Sequence, residues 1–223
     1  MQLHAFIDHT LLKPTTTIAG IEQLCAEAIQ YQFAAVCVPP PFIKLAKQLT
    51  QHTPVKVATV IGFPFGYSAI EAKIAEAVLA MVDGADELDV VANILAIKNG
   101  DWAFIASEIN HLIQLIIQKQ KVVKVIVESG VLTQDELIKC CDLYGAAGIH
   151  FMKTSTGYAE VGATVEAVKT MHTHLPAAVQ IKASGGIKTP AFAAELIQAG
   201  ATRLGTSAGV QLVTQTTTHN SEY

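Results

Sequence analysis

Short apolar runs alternate with longer segments along most of the chain, and the two kinds of segment differ in period. The short runs have the spacing of β-strands and are predicted at residues 6–10, 34–38, 55–60, 87–91, 122–128, 149–153, 179–184 and 202–207. Helical spacing lies between them, for example at 15–30, 67–84 and 133–145, where Ser or Thr often opens the segment and Gly closes it. Strand and helix repeated about eight times predict an α/β fold, a (β/α)8 TIM barrel in a single domain.

The main alternative fold is a doubly wound open sheet. Such sheets usually have fewer strands, and their nucleotide-binding forms carry a GxGxxG turn that this sequence lacks. We therefore predict a barrel over residues 1–211, followed by a flexible C-terminal tail at 212–223.

Alternation within the strands predicts a charged barrel interior. In 122–128, Val123, Val125 and Val127 share one face, which we expect to pack on the helices, while Lys124 and Glu128 share the other. The same pattern directs Lys56, Asp89, Lys153 and Lys182 inward. A salt-bridged structural core is one interpretation, especially for Lys56 and Lys124. Charges at the carboxyl ends of strands, where barrel active sites lie, favour function instead, and these are Asp89, Glu128, Lys153 and Lys182.

Composition narrows the class of protein. The chain has 223 residues, is 51% hydrophobic and has a mean hydropathy of +0.38, which suits strands buried on both faces. A net charge of −4 argues against nucleic acid as a partner. No segment has the length of a membrane span, the N-terminus does not resemble a signal peptide, and the four cysteines form no CxxC pair. These features predict a reduced, cytoplasmic protein without a membrane partner.

Lys153 and Lys182 end neighbouring predicted strands on the same face. Two ammonium groups held close together repel, and burial acts in the same direction, so one lysine should lose its proton more readily. A neutral lysine amine attacks carbonyl carbon and forms a Schiff base. We interpret Lys153 as the nucleophile, Lys182 as the cation that lowers its pKa, and Asp89 as a proton-transfer group. A structural network of ion pairs remains the alternative.

Two glycine-containing segments predict a phosphate site. "SGGIKT" at 184–189 and "GTSAG" at 205–209 follow the last two predicted strands, where barrels commonly bind phosphate. Gly185 and Gly186 allow close backbone approach, Ser207 offers a hydroxyl, and Lys188 adds charge. Cys37 is interpreted as a small apolar residue near the pocket. No metal site is predicted.

The motifs "IDHTLLKP", "VATVIGFPFG", "FMKTSTGY" and "IKASGGIKT" resemble, in order and spacing, those of the deoxyribose-phosphate aldolase family. The resemblance implies a class I aldolase that needs neither metal nor cofactor. Its small-molecule partners would be 2-deoxy-D-ribose 5-phosphate and the two products of its reversible cleavage, D-glyceraldehyde 3-phosphate and acetaldehyde. It also implies Lys153 as the Schiff-base lysine, Lys182 as the second lysine and Asp89 as the proton-transfer acid.

The same resemblance suggests further site residues. Substrate contacts are expected from Asp8, Thr10 and Cys37, and phosphate contacts from Gly157, Gly185, Gly186, Lys188 and Ser207. Tyr158 stands where some members have a lysine, and the terminal Tyr223 corresponds to a tyrosine that reaches the active site in some members. A homodimer or higher homo-oligomer is also expected. Another Schiff-base sugar-phosphate aldolase, a sugar-phosphate isomerase or epimerase, and a non-catalytic barrel that binds a phosphorylated metabolite remain as alternatives.

Overall fold

Eight parallel strands close into a barrel in sequence order, with each strand paired to its neighbours and β8 paired to β1. The computed structural model describes residues 3–218, with side chains from 3 to 215. The strands are β1 (Ile7–Thr10), β2 (Ala35–Val38), β3 (Lys56–Ile61), β4 (Glu87–Val91), β5 (Val122–Ile126), β6 (Phe151–Lys153), β7 (Gln180–Ser184) and β8 (Arg203–Thr206). The predicted (β/α)8 barrel is confirmed, and the open sheet is excluded.

Helices follow the strands and cover the outside of the barrel. They are α1 (Ile18–Gln30), α2 (Ile43–Thr50), α3 (Ile70–Val82), α4 (Ile94–Lys98), α5 (Trp102–Glu108), α6 (Gln114–Gln118), α7 (Gln134–Ala146), α8 (Val165–His174), α9 (Pro190–Gln198) and α10 (Gly209–Thr218). A π-helical turn, Ile109–Ile113, joins α5 to α6. None of the helices among residues 3–218 has the length and apolar character needed to cross a membrane.

Most strands are within one residue of the predicted bounds at each end, but β5 and β6 are each two residues shorter at one end. β5 ends at Ile126 rather than 128, because Glu128 takes a left-handed backbone conformation with φ of 54°. β6 begins at Phe151 rather than 149. A strand requires extended, negative φ, so a left-handed residue ends it whatever the side-chain pattern.

The predicted boundary between barrel and tail falls inside a helix. α10 runs from Gly209 to Thr218, and Leu212 is buried in the main core. The helix is continuous across residues 211 and 212, so the part of the predicted tail up to Thr218 is helical. Tyr223 lies outside the described residues.

The faces of the strands separate as the alternation predicted. Val123, Val125 and Val127 belong to the core between barrel and helices, whereas Lys124 is buried inside the barrel among carboxylates. The inward placement of Lys56 was wrong, because this first residue of β3 is exposed.

A small apolar cluster fills the other side of the barrel interior. Cys37, Ala58 and Val60 pack together on β2 and β3, with Leu12 and Phe63 against them. The charged groups occupy the remaining strands, from β4 round to β1. The interior is therefore divided into an apolar side and a charged side.

A buried ion pair also links α3 to α5, away from the barrel interior. Lys73 Nζ donates to Glu108 Oε1 at 2.6 Å and to the carbonyl of Val91 at 2.8 Å, and both side chains are buried. We expect Lys73→Met to lower the free energy of unfolding by about 3–5 kcal/mol, because the Glu108 carboxylate would stay buried without its cationic partner. Urea unfolding measures this loss.

The double variant Lys73→Met/Glu108→Met is the control for this prediction. It removes both charges together and should recover most of the stability, since well-packed apolar groups often replace a buried pair at little cost. Equal stability of Lys73→Met and the unmodified protein would contradict the prediction.

Candidate active site

Three buried lysines converge on the carboxylate of Asp89. Lys153 and Lys182 each donate to Asp89 Oδ2 at 2.8 Å, and Lys124 donates to Asp89 Oδ1 at 2.8 Å. The strand register explains the meeting, since Lys153 pairs with Lys182 across β6 and β7, and Asp89 with Lys124 across β4 and β5. The two lysines that the sequence predicted to be neighbours therefore share one carboxylate oxygen.

A second layer of charges lies deeper in the barrel. Asp8 Oδ2 is 2.5 Å from Lys182 Nζ, and the Arg203 guanidinium donates to Asp8 Oδ1 and to Glu87 Oε2, the latter at 3.0 Å. Glu87 also lies 2.5 Å from Lys124. Arg203, whose role the sequence left unassigned, thus links two carboxylates on β1 and β4.

This interior network carries one more positive than negative charge if all of its members are ionised. Among the described residues it joins the cations Lys124, Lys153, Lys182 and Arg203 to the carboxylates Asp8, Glu87 and Asp89. Lys124 contacts all three carboxylates, and Lys182 and Arg203 contact two each, whereas Lys153 contacts Asp89 alone. Lys153 therefore loses least when it gives up its proton.

The pKa shifts follow the same division between the two lysines. Burial holds the pKa of Lys153 below its usual value, with Lys182 adding to the effect and Asp89 opposing it. Burial by itself would also lower the pKa of Lys182, but Asp8 and Asp89 outweigh it and raise that pKa well above normal. Burial would raise the pKa of Asp89, yet Lys124, Lys153 and Lys182 hold it well below normal. Lys182 is thus the cation and Lys153 the lysine that is more easily neutral.

Lys153 is also the lysine of this network that reaches a cavity. The cavity has a volume of about 420 Å³ and opens at the carboxyl ends of the strands. Its wall includes, besides Lys153, the predicted phosphate residues Gly157, Gly185, Gly186, Lys188 and Ser207. Thr10 lies on the same wall. The structure therefore brings the amine and the predicted phosphate loops to one site.

The glycines at 157 and 186 present their backbone to the cavity. Both have left-handed φ, 87° and 79°, and a Cβ at either position would meet no atom within 4 Å. Side chains would thus fill open space in the cavity, where the glycines leave the amide groups accessible to an anion.

Lys13 and Tyr158 are among the cavity residues that were not predicted as site residues from the sequence. Lys13 lies on the cavity wall and belongs to the loop after β1. Tyr158, which stands where some family members have a lysine, donates through its hydroxyl to the carbonyl of Leu12 at 2.9 Å. Tyr158 thereby binds the loop that carries Lys13. An isolated lysine in a loop gives no signal of its own, because only the fold brings it to the site.

The remaining predicted site residues differ in their placement. Asp8 is buried in the charged network and does not belong to the described cavity wall, although Thr10 does and donates to the Asp8 carbonyl at 2.8 Å. Cys37 is also absent from that wall, and burial raises its thiol pKa. Within residues 3–218, no group of three or more His, Cys, Asp or Glu side chains is arranged to hold a metal ion.

Glu128, a charged residue at the end of a predicted strand, does not join the lysine network as an ion-pair partner. Its carboxylate accepts hydrogen bonds from the Thr156 hydroxyl and from the Thr156 backbone N–H at 3.2 Å. Burial raises its pKa, and the bonds from Thr156 oppose that effect. Glu128 thus contacts the loop that follows Lys153.

Comparison with known proteins places the chain in a family. The sequence profile of the DeoC/LacD family aldolases matches residues 3–214. A deoxyribose-phosphate aldolase of Thermococcus gammatolerans is 48% identical over 215 residues, which cover 96% of each chain. A second one, of Thermoanaerobacter sp., is 47% identical over 214 residues, again 96% of each chain.

A solved structure agrees with the sequence comparison. The tetrameric deoxyribose phosphate aldolase of Aeropyrum pernix superposes with a TM-score of 0.89 at 32% identity, over 97% of this chain and 92% of that one. The fold, the site and the relatives lead to one conclusion: the chain belongs to the DeoC/LacD family of aldolases.

Proposed function

We propose that the protein is a deoxyribose-phosphate aldolase of class I, which reversibly cleaves 2-deoxy-D-ribose 5-phosphate through a Schiff base on Lys153, without a metal ion or cofactor. The observation that carries the proposal is the position of Lys153. It is the lysine of the buried network that lines the cavity, and Asp89 is the carboxylate it contacts. Relatives 44–48% identical bear the same name.

Cleavage begins at the substrate aldehyde. The neutral amine of Lys153 attacks C1 of the open-chain sugar, and water leaves from the carbinolamine to form an iminium ion. Asp89, 2.8 Å from Lys153 Nζ, stabilises the positive charge that develops on this nitrogen. The ionised carboxylate is thus available before the reaction starts, which avoids a cost of reorganisation.

The carbon–carbon bond breaks in the next step. A base removes the proton of the C3 hydroxyl, the C2–C3 bond breaks, and its electrons pass to the iminium to form an enamine of acetaldehyde on Lys153. D-Glyceraldehyde 3-phosphate leaves. The enamine is then protonated at C2, and water releases acetaldehyde and regenerates the amine.

Proton transfer in these steps is assigned to Asp89 and Lys182 together. A carboxylate with a pKa as low as that of Asp89 is a weak base, so we propose that water carries the proton at the substrate. Lys182 donates to Asp89 and holds it in place at 2.8 Å. The pair orients the water rather than taking the proton permanently.

The phosphate group is assigned to the part of the cavity wall formed by the glycine-containing loops. Amides at Gly157, Gly185 and Gly186 and the side chains of Lys188 and Ser207 line this part of the cavity. Binding energy from the phosphate, which does not react, holds C1 of the sugar against Lys153. Lys188 binds as a point charge, without the bidentate fork of an arginine.

Reductive trapping tests the proposal directly. The protein is incubated with acetaldehyde, reduced with borohydride, and digested for peptide mass spectrometry. We expect an ethyl group on Lys153, modification of the same residue when 2-deoxy-D-ribose 5-phosphate replaces acetaldehyde, and no adduct in a borohydride-only control. An adduct on Lys182 alone would reverse the two lysine roles, and no adduct on either would exclude the Schiff base.

The family match favours an aldolase over an isomerase, an epimerase or a non-catalytic binder. Another sugar-phosphate aldolase remains the second candidate, and turnover of 2-deoxy-D-ribose 5-phosphate against other sugar phosphates separates the two.

We further propose a cytoplasmic homo-oligomer, a dimer or larger. The relative from Aeropyrum pernix is a tetramer, and α3 exposes Val78, Leu79 and Val82. Sedimentation analysis and fractionation of cells test these two points.

A further inference from the structure

Glu128 combines an unfavourable backbone with a buried carboxylate. Its φ and ψ are 54° and 56°, a left-handed conformation that a residue with a side chain seldom adopts. Only 6% of the residue is exposed. Neither feature adds to the stability of the barrel by itself, and both persist only when surrounding contacts hold them.

Among the described residues, Thr156 donates the hydrogen bonds that the Glu128 carboxylate accepts, and the charge of Lys153 also acts on this carboxylate. The Thr156 N–H lies 3.2 and 3.3 Å from the two carboxylate oxygens, and the Thr156 hydroxyl donates to Oε2. The same hydroxyl oxygen accepts the N–H of Tyr158 at 3.1 Å. The carboxylate thus holds Thr156 directly and Tyr158 through the Thr156 hydroxyl, and these two residues flank Gly157.

Thr156 and Tyr158 form a wall with space on both sides. One side is the 420 Å³ cavity that contains Lys153 and Gly157. The other side is a cleft of about 270 Å³ lined mainly by apolar groups, among them Phe65, Tyr67, Leu95 and Val131. Glu128 lies on the cleft side of the wall. A loop with open space behind it needs an anchor to keep a defined position against a ligand.

We propose that Glu128 is a positioning residue that anchors the loop 156–158 and so fixes the Gly157 amide and Tyr158 in the geometry that binds the substrate phosphate. The anchor extends across the mouth of the cavity, because the Tyr158 hydroxyl binds the Leu12 carbonyl beside Lys13. The identity of the phosphate as that of 2-deoxy-D-ribose 5-phosphate rests on the proposed function. The anchor itself requires only that this wall binds an anion.

Glu128→Gln tests the anchor, with Glu160→Gln as the matched control on an exposed glutamate two residues after this loop. Binding of inorganic phosphate is followed by titration calorimetry. Because the hydrogen bonds from Thr156 lose their charged acceptor, we expect phosphate affinity to fall about tenfold in Glu128→Gln and to stay unchanged in Glu160→Gln. The ratio of kcat/KM for 2-deoxy-D-ribose 5-phosphate to that for 2-deoxy-D-ribose should fall by a similar factor. A purely structural role would lower both values of kcat/KM together.

Variants at Thr156 give a second route if Glu128→Gln folds poorly. Thr156→Val removes the hydroxyl at nearly constant volume and should weaken phosphate binding. Thr156→Ser keeps the hydroxyl and should bind phosphate as the unmodified protein does. The double variant Glu128→Gln/Thr156→Val should bind phosphate no more weakly than the weaker-binding of the two single variants. Both substitutions break the same hydrogen bond between Glu128 and Thr156, so their effects should not add.

The outcomes separate this inference from the proposed function. If the unmodified protein binds phosphate but does not cleave the sugar, the proposed function fails, and weaker phosphate binding by Glu128→Gln still supports the anchor. If the sugar is cleaved while Glu128→Gln changes neither phosphate affinity nor the substrate ratio, the anchor is overturned alone. Absence of phosphate binding by the unmodified protein also overturns it.

Discussion

Lys153→Met is expected to lower kcat/KM for cleavage of 2-deoxy-D-ribose 5-phosphate by at least about 10⁴-fold, because no other group takes over the covalent step. Lys182 cannot replace it. The Asp8 and Asp89 carboxylates keep Lys182 protonated, and it is not part of the described cavity wall. Coupled detection of glyceraldehyde 3-phosphate measures the loss, and borohydride trapping should give no adduct.

The same substitution should leave the protein as stable as before, or more stable. Lys153 is buried, it contacts the carboxylate of Asp89 alone, and Asp89 keeps Lys124 and Lys182 as partners when Lys153 is replaced. Burial of an amine costs free energy that methionine does not. Urea unfolding measures the difference.

Lys73→Met is the matched control for this result. It replaces another buried lysine, outside the site. We expect the opposite of the Lys153→Met result: stability should fall, while the folded protein keeps its activity and its adduct on Lys153. If Lys153→Met retained a tenth or more of the activity, a Schiff base on this residue would be wrong.

Lys182→Met is expected to lower kcat/KM by about 10²–10⁴-fold, the range of a lost acid–base group. It should also move the pH dependence. Without the positive charge of Lys182, the attraction of Asp89 for a protonated Lys153 is less opposed, so the pKa of Lys153 rises. At a given pH less of the amine is neutral, and the midpoint of adduct formation with acetaldehyde moves to higher pH.

Lys188→Met serves as the control for the shift in midpoint. Lys188 lines the phosphate part of the cavity but is exposed and has no place in the described ion-pair network. Because acetaldehyde carries no phosphate, this variant should keep the midpoint of the unmodified protein. Near-normal turnover of Lys182→Met, or an unchanged midpoint, would remove Lys182 from the mechanism.

The sequence was sufficient for the barrel and for the pair of lysines, because both depend on periods. Strand and helix patterns repeat along the chain, and the two-residue period of a strand assigns Asp89, Lys124, Lys153 and Lys182 to the inner face. Where a period was interrupted by backbone conformation rather than side-chain type, as at Glu128, the predicted strand was too long.

The alternation of apolar and polar residues did not predict which residues are exposed at the ends of strands. Lys56 has the parity of an inward residue, yet it begins β3 and lies at the surface. Parity decides which side of the sheet a residue faces, whereas depth along the barrel depends on how far the neighbouring strands extend. The sequence determines which side of the sheet a residue faces, whereas only the closed barrel determines how deep the residue lies.

By itself, the sequence determined the fold class, the lysine pair and the family resemblance, since these are written in local order and spacing. Only the tertiary structure decided which lysine has one carboxylate partner, that Arg203 links Asp8 to Glu87, and that Lys13 reaches the cavity wall. These facts are distances between residues far apart in the chain, and closure of the barrel creates them. The protonation state of a buried lysine depends on such distances because charges act through space and not along the chain.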